Sequence, residues 1–143
     1  MSITQSMCTS FKKALLDGEM DFSSNTTQTF YIALYTEDAE LDADTQVYTN
    51  TNEVVGTAYV AGGKLLTISQ TPITSGTTAY INFGDVTWFS STITARGALI
   101  YRNAPSNAAV AVLDFGSNKS TAGANFVIDF PTTGVNTALV RVL

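Results

Sequence analysis

No histidine occurs in the 143 residues, and there is one cysteine, one tryptophan and three prolines. Without histidine, every histidine-based triad and the usual zinc sites are excluded. Cys8, alone, cannot close an internal disulfide, and a chain of this length needs none to bury a core. Charge is sparse, with 7 basic and 12 acidic side chains. Nothing in it forms the basic stripe that phosphates require, so nucleic acid is not an expected partner. No apolar run reaches the roughly 18 residues of a membrane helix, and no membrane partner is expected. The opening "MSITQSMCTSFKKALL" has no long apolar core behind its charges and no small-residue cleavage site, so a soluble, non-exported protein is expected. The two glycosylation patterns, at Asn25 and Asn118, then read as chance.

The charges that are present lie unevenly. Residues 1–63 carry nine acids against Lys12 and Lys13, about −7, whereas residues 64–143 carry three acids against five bases, about +2. Such a division lets opposite ends of neighbouring copies attract.

Serine and threonine fill 34 positions, and the apolar residues favour Val, Ile, Phe and Tyr, a composition suited to pleated surfaces. The expected fold is mainly β, an antiparallel β-sandwich or jelly-roll-like domain with one N-terminal helix, in a single domain over 1–143 (helix within 1–18, sandwich over 29–143). The helix is expected at about 4–17, capped by Thr4 or Ser6, striped by Met7, Phe11 and Leu15 and ended by Gly18. Cys8 reads as a small buried residue on that stripe. "TFYIALYT" (29–36) is apolar on both faces, which predicts a strand covered on both sides. Three hairpins are expected: 64–74 with 78–83, where Pro72 demands an edge or a bulge; 93–101 with 108–116; and 125–130 with 137–143. In "TARGALIY" the lone cation, Arg96, reads as structural, stacked on an aromatic such as Trp88 or paired with Asp85, Asp114 or Asp129. Gly97 beside it would admit another backbone or a large ring.

Catalytic motifs are thin, and no catalytic residue, metal ligand or cofactor is expected. "GSNKST" (116–121) lacks the second glycine of a phosphate loop and joins strand to strand. There is no Gly-x-Ser-x-Gly elbow. The acidic run "EDAELDADT" (37–45) lacks the glycine and closing glutamate of a calcium loop.

The ordered phrases "ITQSMCTSFKKALLDG", "FYIALYT", "VYTNTNEVVGTAYVAGGKLL", "DVTWFSSTITARGALIY", "AVAVLDFG" and "FPTTGVNTALVRV" resemble a group of small virion structural proteins of tailed bacteriophages, from about residue 3 to the end. One departure is "GEMDF" (18–22), where a histidine is expected shortly after the helix-ending glycine; its role is not carried over. The resemblance implies a non-enzymatic virion component, either a capsid decoration or cement protein bound to the major capsid protein, or a tail or head-fibre module contacting a host surface. In the second case Tyr48, Tyr59 and Trp88 would line the contact. Decoration proteins commonly match the threefold positions of a capsid, so the resemblance also implies a homo-oligomer, a trimer.

The stretch from Glu37 to Asn52 is 16 residues, long for a connection, and mixes acids with apolar residues. It is expected to project as a hairpin and to form the contact between copies. Its candidate residues are Glu37, Asp38, Leu41, Asp42, Asp44, Val47 and Tyr48, joined by Trp88 and Phe89 of the 84–92 loop.

Overall fold

The computed structural model describes residues 2–104, 106–131, 133–134 and 136–142. It is mainly β, with several antiparallel sheets, a sandwich-like arrangement and one short helix. A five-stranded sheet runs in the order β1 (Ser6–Met7), β8 (Ala108–Ser120), β7 (Thr94–Ala104), β2 (Thr29–Tyr35), β3 (Lys64–Leu66). A three-stranded sheet, β10 (Val140–Val142), β5 (Thr78–Phe83), β4 (Ile68–Ser75), faces it, and β6 (Val86–Ser91) pairs with β9 (Ala124–Ile128).

The two-stranded ribbon is not a separate object. Beyond Thr94↔Ser120, Ile93 and Thr121 exchange two backbone hydrogen bonds, and pairing resumes at Ser91↔Ala124 and runs to Val86↔Ile128. The chain thus makes one long hairpin, 86–104 against 108–128, whose far end leaves the large sheet. Register slips where Arg96 alone spans the interval that Phe115–Asn118 fill on β8. Such an excess on one strand bends it and sharpens its twist, which is how a sheet turns a corner. Arg96 Nε donates to Asp114 Oδ1 at 3.3 Å, and the same oxygen accepts the Gly116 amide at 2.8 Å. Arg96 is therefore structural, and of the three acids it could have met, Asp114 is the one that pins the corner. Gly97 admits another backbone, that of Leu113, and not a ring such as Trp88. A Cβ there would meet Leu113 O at 2.6 Å and two Ile3 side-chain carbons at 2.9 Å, so its bareness lets Ile3 lie against the sheet.

Alternation along β2 sends Phe30, Ile32 and Leu34 to one face and Tyr31, Ala33 and Tyr35 to the other. On the first face Phe30 meets Phe22 (4.7 Å, stacked) and Phe83 of β5 (6.0 Å), and Phe22 meets Phe11 (6.0 Å) of α1 (Thr9–Leu16). The second face is covered by the 37–63 stretch. One contiguous apolar cluster, Ile3 to Val140, results, and β2 is covered on both sides, as its apolar pattern requires.

Several elements differ from expectation. The helix spans Thr9–Leu16, not 4–17. Residues before it are extended because neighbours claim their backbone: Thr4 N–H bonds Leu41 O (2.8 Å), Ser6 and Met7 pair with Val112 and Ala111, and Cys8 N–H bonds Val110 O (3.0 Å). Cys8, not Thr4 or Ser6, is the N-cap, and it gives no side-chain cap; Met7 drops off the stripe, leaving Phe11 and Ala14 buried. The 84–92 loop is instead strand β6. The hairpin of 125–130 with 137–143 does not form, since β9 pairs with β6 and β10 with β5. Pro105, Thr132, Val135 and Leu143, within the expected turns and last strand, lie outside the described residues. Pro72 is on edge strand β4, inside the register slip between Gln70 and Ile73, where a missing N–H costs no ladder bond.

Candidate functional site

The densest group of titratable side chains lies where the 37–63 stretch crosses the large sheet. Glu53 is buried, and its carboxylate accepts three donors: Tyr48 Oη at 2.6 Å, Tyr59 Oη at 2.5 Å and the Gly62 amide at 2.8 Å. Tyr59 Oη also accepts the Leu34 amide (2.9 Å). Tyr101 donates to Gly62 O and Tyr35 to Thr49 O, both at 2.6 Å. Tyr48, Tyr59 and Gly62 reach Glu53 from within the stretch, while Tyr35 of β2 and Tyr101 of β7 bond its backbone, so one carboxylate and four phenols fasten a long irregular segment to the edge of β2. Val54 N–H to Leu34 O (2.9 Å) continues the pairing that β3 begins.

Gly63 makes the crossing possible: its φ is +83°, and a Cβ would lie 1.8 Å from Ile32 O. Burial, reinforced by the Glu53 charge, pushes the Tyr101 hydroxyl up to about 12 and raises those of Tyr35, Tyr48 and Tyr59 further. The acceptor positions of the Glu53 carboxylate are thus filled by two phenol hydroxyls and a backbone amide. The cluster is a latch.

What the latch holds out to solvent is more informative. Thr57 bridges Thr92, Tyr59 stacks on Trp88 at 5.9 Å, and Lys64 Nζ donates to Thr87 O while lying 5.9 Å from the Trp88 ring centre and 5.3 Å from that of Phe89. The 54–63 turn is thereby laid along β6. Val55 (97% exposed) and Val60 (73%) of this turn and Phe89 of β6 (65%), whose ring lies by Lys64, are exposed apolar side chains; Leu65, exposed too, points to the opposite face of β3 from Lys64.

The residues expected at an interface separate into three groups. Leu41 and Trp88 are buried, each 2% exposed: Leu41 bridges Ile3, and Trp88 packs on Tyr59 and Phe126. Tyr48 is half-buried, stacked on Tyr101 at 4.7 Å with its hydroxyl on Glu53. Glu37, Asp38, Asp42, Asp44, Val47 and Phe89 are exposed. The 37–52 stretch does not project as a hairpin, because Val47 bridges Ala108 and Leu41 bridges Ile3, tying both halves down. Its acids serve local structure: Asp42 Oδ1 accepts the Asp44 amide (2.8 Å), and Glu37 accepts from Asn118 (3.1 Å). Among the described residues no three of these types converge as a metal-holding group. Cys8 is buried, its thiol pushed up to about 11 by burial and by Asp42.

Sequence reading counted Glu53 among ordinary acids and missed the latch. The available signal was an acid set directly before the apolar pair Val54–Val55, with tyrosines five residues before and six after. Val55, Val60 and Leu65 were missed because alternation alone does not say which face a neighbour covers. No protein-family model, curated protein or solved structure matches the chain.

Proposed function

We propose that this chain is a non-enzymatic structural component of a tailed-bacteriophage virion, a decoration or cement protein that docks on the lattice of the major capsid protein. The observation that carries the reading is the exposure of Val55 and Val60 on the turn that the latch holds against β6, with Phe89 of β6 exposed under Lys64. An exposed apolar patch with a polar surround marks a protein contact. Because the backbone beneath it is already fixed, docking need not order a loop, which preserves affinity. The ordered resemblance to small phage virion proteins supplies the partner. In this reading the chain turns nothing over, so ester, peptide, phosphate and glycoside substrates remain at background.

The test is addition of purified protein to virions or heads stripped of it, with bound copies quantified by gel densitometry. A copy number matching the coat lattice is expected, and Val60→Ser with Phe89→Ser should lower apparent affinity by about tenfold or more. Leu16→Ser, on α1 and 90% exposed, should leave binding unchanged. A few copies per particle would instead favour a tail or head-fibre part, and binding indifferent to the double change would remove this face from the contact.

A further inference from the structure

Strand β9 has one paired edge and one open edge. It bonds to β6, and among the described residues no backbone bond joins its other side to a strand. Native proteins blunt such edges with proline, bulges, lysines or extreme shortness. β4, the edge of its own sheet, follows that rule with Pro72 and two register slips, and β1 and β3 are two and three residues long. β9, by contrast, reads Ala124-Asn-Phe-Val-Ile128, five residues without proline, glycine or charge, and the register slip in its ladder comes from an extra residue on β6, where Phe89 and Ser90 oppose Asn125. Beside it lies a groove of about 370 Å³ lined by Phe115, Phe126, Val127 and Ile128, with Lys119 and Asp129 among its lining residues.

We infer that this edge is the contact between two copies of the chain, β9 pairing antiparallel with β9 of a second molecule about a twofold axis at Val127, so that the two ribbons become one four-stranded sheet β6-β9-β9-β6. The register follows from the residues. Centred on Val127, it sets Phe126 against Ile128 of the other copy, inner face against inner face, and Asn125 against Asp129, an amide donor against a carboxylate. Centring on Ile128 would oppose Asp129 to Val127, and centring on Asp129 would bring two like charges together, which is unfavourable. The sequence expectation had placed the contact at 37–52 with Leu41 and Tyr48 as anchors; Leu41 is buried and the Tyr48 hydroxyl is engaged by Glu53, so neither anchor is free. This inference stands on the strand edge alone and does not depend on the coat-protein reading.

The Val127 side chain points outward and is 49% exposed, which allows a test that leaves the fold intact. In the proposed register the two Val127 Cα atoms lie about 4.5–5.5 Å apart, within disulfide range. Val127→Cys should therefore give a covalent dimer under mild oxidation. Asp129→Cys, displaced from its own copy by four residues or about 13 Å, should not. Cys8, fully buried, contributes no background. By light scattering the parent should be a dimer at high concentration. Val127→Lys, which opposes two like charges at the axis, should be monomeric with unchanged far-UV circular dichroism, and Leu16→Lys should remain dimeric. A parent that stays monomeric, a Val127→Lys variant that stays dimeric, or equal crosslinking of the two cysteine variants would each overturn the inference.

Discussion

At the residue scale, Glu53 shows how an ordinary-looking acid becomes structural. Its buried carboxylate accepts three donors, the Tyr48 and Tyr59 hydroxyls and the Gly62 amide. Glu53→Gln turns an acceptor oxygen into a donor facing other donors, so unfolding in urea should show a loss of about 1–3 kcal/mol. The phenols around it set an alkaline limit. An unfolded tyrosine ionises near 10, whereas burial and the Glu53 charge raise Tyr101 to about 12 and Tyr35, Tyr48 and Tyr59 beyond it. Because the folded values are raised, their contribution is fully present below about pH 10 and lost as pH rises through the folded values. The melting temperature is expected to hold from neutrality to about pH 10 and then to fall between about 10 and 12. A curve that stays level to pH 12 would show that these hydroxyls ionise in the folded state without penalty.

At the scale of elements, two stand out. Helix α1 has only eight residues, too few for independent stability, and carries no side-chain cap. It exists because Phe11 is fully buried against Phe22. Phe11→Ala should cost about 3–5 kcal/mol in denaturant unfolding, while Leu16→Ala, almost wholly exposed, should cost little. The corner in the long hairpin depends on Asp114, which serves both Arg96 and the Gly116 amide. Arg96→Ala removes one half-exposed ion pair and should cost under about 1 kcal/mol. Asp114→Ala also leaves the bulge amide without its acceptor and should cost more, about 1–2 kcal/mol. Equal effects would mean that the bulge is held by the strands alone.

Across the whole molecule, closure is non-local. Ser6 pairs with Val112 and Val140 with Ile81, so the first strand and the last described one are both set by distant partners. Loop-closure entropy must be met before such pairs gain anything, and refolding on dilution from denaturant should take milliseconds to seconds, not microseconds. Trp88, the lone tryptophan and nearly fully buried, reports on the corner and the latch together through its contacts with Phe126 and Tyr59. Its fluorescence and the far-UV signal should change in one coincident transition; separate midpoints would show that the latch region unfolds independently of the sheet.

Composition and alternation by themselves determined the β class, the covered strand at 29–35, the edge position of Pro72 and the structural role of Arg96, since each follows from local pattern and elementary sterics. Which acid Arg96 meets, where the helix begins, that 86–91 is a strand, and that Glu53 is a buried hub were decided only by tertiary structure. The reason is common to all four. A backbone group or a carboxylate takes the partner that folding brings closest, and Val110 for Cys8, Ile128 for Val86 and Tyr48 and Tyr59 for Glu53 are partners chosen by sheet register and loop path. The division extends to the surface. The sequence placed Phe89 in an exposed region and Trp88 beside it at the same contact, but alternate residues of a strand point to opposite faces, and only the packing of Tyr59 and Phe126 decided which of the two would be left in water.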